Sequence, residues 1–311
     1  MSWTFISLSI ACALLALGGL LLGAFCAAPL IAAISQIQAR LKKLRLLDNF
    51  ALQICRMGLI CLVLYILFCL ALAACLLQLP LQFWPQNLHL QVLYLPLAGL
   101  LWGGATLALL VFCWKACRQH KWLRLVLSLL SSLGFWLFVL SSLNLKLRIL
   151  SLPELGTTAS LSWQQLFFPQ QPFLFWNLLA QIFCLALGAC GLGAMLYFLL
   201  RRTKEDFGRD YYRFAQHLAA RWSLLFILQL PFWALIFFRL KPWPSFIQST
   251  LEQILAAAAL IFLTASMGLG LRILRSPNPM RHKLSPVGCA LFAWMGWSCI
   301  CLSYTWVLIY P

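Results

Sequence analysis

The chain has 311 residues, 63% hydrophobic and only 9% charged, with a mean hydropathy of +0.92. Soluble globular domains carry about a quarter charged residues, so water is excluded as the main solvent. The formal charge of +17 raises nucleic-acid binding, but the basic residues are dispersed between apolar runs and form no contiguous basic face, which argues against it.

A bilayer core about 30 Å thick takes roughly 20 apolar residues per helix. The apolar runs here are continuous rather than alternating, which predicts an all-α polytopic membrane bundle and not a barrel. Residues 1–311 read as a single transmembrane domain. The first span covers about 5–34 and lacks the basic leading region of a signal peptide, so it is read as retained. Further spans follow at about 51–79, 90–114, 123–144, 174–200, 222–239, 250–272 and 286–309, which makes about eight and places both termini on one side.

Orientation comes from Lys and Arg, which are held in cytoplasmic loops during insertion. The first loop contains Arg40, Lys42, Lys43 and Arg45, the third Lys115, Arg118, Lys121 and Arg124, the fifth Arg201 through Arg221, and the seventh Arg272, Arg275, Arg281 and Lys283. The alternate loops contain few cations, so both termini are expected outside (periplasmic) in a bacterial inner membrane, with the basic loops against anionic headgroups. Trp84, Trp114, Trp122, Trp163, Trp222, Trp243 and Trp306 stand near span ends as interfacial anchors. The outer loop 145–172 is expected to be irregular, with a shallow amphipathic piece at about 161–168 that suits a lid or docking surface.

The segment 201–221 reads as a cytoplasmic amphipathic helix. Arg213, His217 and Arg221 recur at four-residue spacing on one side, and Tyr211, Phe214 and Leu218 make an apolar stripe expected to lie on the inner leaflet. The basic side is either a solvated face or a site for an anionic headgroup or a quinone edge.

Six acidic residues are present, Asp48, Glu154, Glu205, Asp206, Asp210 and Glu252, none at mid-membrane, which weakens the case for proton- or cation-coupled transport. Glu252 begins the seventh span, where a helix N-terminus favours an anion. Thirteen cysteines lie mostly within apolar runs and read as small hydrophobes, with no zinc or covalent-haem spacing, so no metal site is predicted. Small residues at four-residue spacing (Gly19 and Gly23, Gly99 and Gly103, Cys184 and Gly188, Ser266 and Gly270) predict close helix contacts. Asn177 and Gln181 near the outer end of the fifth span, and Gln229 in the sixth, require partners inside the bundle; these are either interhelical hydrogen bonds or a ligand site. No phosphate-binding loop or hydrolase signature is present.

Two stretches carry a resemblance. LFFPQQPFLFWNLLAQIFCLALGACGLGAMLYFLLRRTKEDFGRDYYRFAQHLAARWSLLF (166–226) and ALLALGGLLLGAFCAAPLIAAISQIQARLKKLRLLDNFALQICRMG (13–58) resemble divergent cytochrome bd-type ubiquinol oxidase subunit I proteins. The resemblance implies a respiratory setting near a quinone pool. Asn177 stands about where that family has a haem-ligand His, and the first span also lacks the family's His. It therefore implies a ligand-stripped, non-catalytic subunit or scaffold of a membrane complex with no cofactor of its own. The alternatives are a permease or flippase for a small or lipidic solute, with Asn177, Gln181, Gln229 and Glu252 lining a path, and a divergent haem or quinol redox protein.

Overall fold

The structure, a computed structural model, describes residues 3–76, 94–118, 120–155, 169, 171–202, 207–240 and 249–309. It is all-helical, with no strand among the described residues. The α-helices are α1 Trp3–Lys42, α2 Arg45–Leu76, α3 Tyr94–Phe112, α4 Lys121–Leu155, α5 Pro172–Arg201, α6 Arg209–Ser223, α7 Gln229–Leu240, α8 Thr250–Arg275 and α9 Leu284–Ile309. A 3-10 turn, Leu224–Leu228, joins α6 to α7, so Arg209–Leu240 forms one run. With that run counted once, eight helices among the described residues are long and apolar enough to cross a membrane. This is an integral membrane architecture.

Helix ends depart from the apolar limits where polar residues find partners within the protein. Helix α1 runs eight residues past the expected end of the first span because Ser35 and Gln36 are buried: Ser35 Oγ donates to the Ile31 carbonyl at 2.7 Å, and Gln36 Nε2 donates to Ser128 Oγ at 3.0 Å. Helix α4 continues to Leu155, so the start of the 145–172 segment is helical rather than irregular. Its amphipathic piece at 161–168 lies outside the described residues, as do Trp84, Trp163 and Trp243.

The chain forms two compact units, Met1–Ala27 with Ala180–Pro311, and Ala28–Leu179. Within 28–179, α3 and α4 meet through their glycines. A Cβ on Gly134 would lie 2.6 Å from the Gly103 amide nitrogen, and one on Gly99 would lie 2.8 Å from that of Phe138. Lipid is as apolar as the helix surface, so such contacts and the bond from Ser131 Oγ to the Gly103 carbonyl (2.9 Å) hold the pair rather than any hydrophobic drive. Of these glycines, Gly134 is not anticipated from the sequence.

In the other unit, α8 and α9 form a long antiparallel pair, linked where Ser266 Oγ donates to the Cys289 carbonyl at 2.9 Å. Helix α5 receives the α6–α7 run at Gly188 and Gly191, where a Cβ would collide with the Phe226 and Ser223 backbone. This contact brings one face of the amphipathic segment against α5, while Phe214 and Leu218 of its apolar stripe are half-buried. The α6 face made by Tyr211, Tyr212, Ala215, Gln216, Ala219 and Ala220 is buried against protein. Its alanines and the glycines opposite remove the side-chain bulk that would otherwise hold the segment away.

Candidate functional site

Near its end α9 carries three consecutive hydroxyls, Ser303, Tyr304 and Thr305. Successive helical residues point about 100° apart, so they reach three different helices. Trp233 Nε1 of α7 donates to Ser303 Oγ at 3.2 Å, Tyr304 Oη donates to Gln181 Oε1 of α5 at 2.9 Å, and Cys12 Sγ of α1 donates to Thr305 Oγ1 at 3.6 Å. Ser303 and Thr305 each donate their own proton back to a carbonyl of α9, from Ile300 and Cys301, at 2.8 Å. Each of these two hydroxyls therefore both donates and accepts, and for the buried Ser303 this satisfies the group without water. Beneath them Cys12, Leu255 and Leu302 form an apolar cluster with Leu8, Leu251 and Cys301 packed around it.

The four polar residues picked out as a path are placed unequally. Asn177 donates Nδ2 to the Phe173 carbonyl of its own helix at 2.8 Å and belongs to the 28–179 unit. Gln181 is buried in the other unit, with its oxygen on Tyr304 and its Nε2 without a hydrogen-bond partner. Gln229 is 0% exposed, and neither of its amide atoms has a hydrogen-bond partner. Glu252 is also 0% exposed, in the first turn of α8 between Leu251 and Leu255. The helix dipole favours a carboxylate there.

Arg213, His217 and Arg221 follow one another along α6, and the first two meet the α8–α9 connection. Arg213 lines a cavity of about 490 Å³ with Arg209, Asp210, Asn278 and Arg281. His217 donates Nε2 to the Ser276 carbonyl at 3.0 Å, tying α6 to the α8–α9 connection, while Arg221 is exposed one turn further on. Gln216, which sequence reading passes over, is buried and donates to the Met195 carbonyl at 3.1 Å. Ser303, Tyr304 and Trp233 were missed likewise; an uncharged side chain in an apolar run gives no sign of the remote residue that completes it.

Trp114 is buried, with the Arg124 guanidinium 4.6 Å from its ring centre. Trp122 is exposed. Among the described residues no three His, Cys, Asp or Glu side chains gather as a metal site. No protein-family profile matches the chain, and no curated protein matches it.

Proposed function

We propose that this protein is a non-catalytic subunit or scaffold of a membrane complex, respiratory or otherwise linked to electron transfer, in a bacterial inner membrane. In this reading both termini lie outside and the basic loops lie inside, as the alternation of Lys and Arg between loops suggests. The observation that carries the proposal is the Ser303–Tyr304–Thr305 arrangement, which uses one buried and two half-buried hydroxyls to fasten α9 to α1, α5 and α7. Polar groups placed in this way support a fixed bundle.

The resemblance to cytochrome bd-type subunit I supplies the respiratory setting. The residue at the family's haem-ligand place does not fit iron: Asn177 offers an amide whose nitrogen is committed to Phe173, and it has no imidazole. The test is a dithionite-reduced minus oxidised spectrum of the purified chain. The reading expects no haem band near one per chain; such a band would overturn the non-catalytic assignment and favour the redox alternative.

One observation favours a second reading as permease or flippase. An amide as buried and unpartnered as Gln229 costs about 1–3 kcal/mol, a cost that a transiting polar solute offsets. Under that reading Gln229→Met abolishes solute flux into proteoliposomes; under the scaffold reading the change leaves assembly intact.

A further inference from the structure

Within the 28–179 unit, the last turn of α1 and the first turns of α2 and α4 enclose a cavity of about 230 Å³. Its lining includes five cations, Arg40, Lys43, Arg45, Lys121 and Arg124, and one carboxylate, Asp48. The carboxylate is already engaged: Arg124 Nη1 donates to Asp48 Oδ2 at 2.9 Å. Arg124 is 3% exposed, and its Nε has no hydrogen-bond partner. The N-termini of α2 and α4 add the positive ends of their dipoles, which favours phosphate.

Lys43 strengthens the case. The Leu44 amide bonds back to the Ala39 carbonyl at 3.2 Å, the mark of a helix end whose next residue adopts left-handed geometry. Glycine is the usual occupant, yet this chain has Lys43 there at a φ of 54°. A long cation thus stands on the cavity wall at a position where local backbone energetics favour glycine.

The adjoining space selects among phosphates. A second, more open cavity of about 880 Å³ shares Arg40 and Lys121 with the first and continues along Trp122, Leu123 and Val126. All three of these apolar side chains are exposed, Trp122 at 73%, and Arg40 caps the Trp122 ring at 4.2 Å. A free phosphate has no use for such a wall, whereas an acyl chain does.

We infer that the two cavities form one site for an anionic phospholipid. The phosphoryl group sits among Lys43, Lys121 and Arg124, and an acyl chain follows Trp122, Leu123 and Val126. The site is independent of the complex proposed above.

The test uses the full chain, delipidated in mild detergent, with native mass spectrometry and thermal unfolding in added phosphatidylglycerol, phosphatidylcholine or millimolar inorganic phosphate. Phosphatidylglycerol is expected to bind one per chain and raise the melting temperature, and the other two are not. The variant Lys43→Gly with Lys121→Gln keeps the turn and the Asp48–Arg124 pair. It should fold as well as the parent and bind phosphatidylglycerol about 25-fold more weakly, about fivefold per cation removed. Equal binding of phosphatidylcholine, or parental affinity in the variant, would overturn the site; an equal shift from inorganic phosphate would overturn the lipid in favour of a small anion.

Discussion

The polar residues around α9 and those around Arg124 represent two uses of polarity, each with one buried side chain at its centre, Ser303 and Arg124. Around α9, Ser303, Tyr304 and Thr305 meet their partners one for one, and the groups are uncharged. Around Arg124, five cations share one carboxylate and a guanidinium nitrogen remains over. The first arrangement is nearly closed and the second is open to an anion. Removing a group from the first is thus expected to cost stability alone, whereas changes in the second alter stability and ligand binding together.

The largest effect is expected from Asp48→Asn, which leaves Arg124 buried without its counter-charge. Loss of one partner of a buried pair costs about 3–5 kcal/mol, and the roughly one-third exposure of Asp48 lowers this to about 3 kcal/mol. Labelling of the buried thiols Cys26, Cys55 and Cys190 during heating in detergent reports the loss. Phosphatidylglycerol should restore part of it, because a lipid phosphate replaces the missing carboxylate; no restoration would dissolve the distinction between the two regions.

Gly191→Ala follows at about 2 kcal/mol, since the new methyl group meets the Ser223 backbone and two helices must separate. The same thiol assay should show earlier unfolding, with no change in lipid binding. Tyr304→Phe is smaller, about 1 kcal/mol, from one hydrogen bond lost and Gln181 Oε1 left buried. A melting temperature equal to the parent's would remove Tyr304 from the fastening of α9. Least is expected of Gln229→Met, which replaces an amide that bonds to nothing with an apolar chain of similar length. Its melting temperature should equal or exceed the parent's, and a clear fall would mean that Gln229 holds an unseen partner.

The spans were legible because hydropathy is summed over some 20 residues and tolerates local error. Gly19, Gly23, Gly99, Gly103 and Gly188 were legible because close helix contacts select small residues at one face. What escaped depends on remote pairing. Asp48 and Arg124 lie 76 positions apart, Gln181 and Tyr304 123 apart, and nothing local marks either pair. The surroundings of α6 are not written in its own sequence, because a helix with a basic side and an apolar stripe has the same composition whether the stripe meets lipid or protein. Only the glycines of α5, Gly188 and Gly191, distinguish the two, and they act through space.

A subunit or scaffold of a membrane complex is expected to leave its membranes joined to other polypeptides. The direct measurement is the mass, by native mass spectrometry, of the tagged chain drawn from its own membranes in a gentle detergent. The account predicts a particle in which the 35.2 kDa chain is joined by a different polypeptide at fixed stoichiometry. A particle of 35.2 kDa, or of whole multiples of that mass alone, would contradict it.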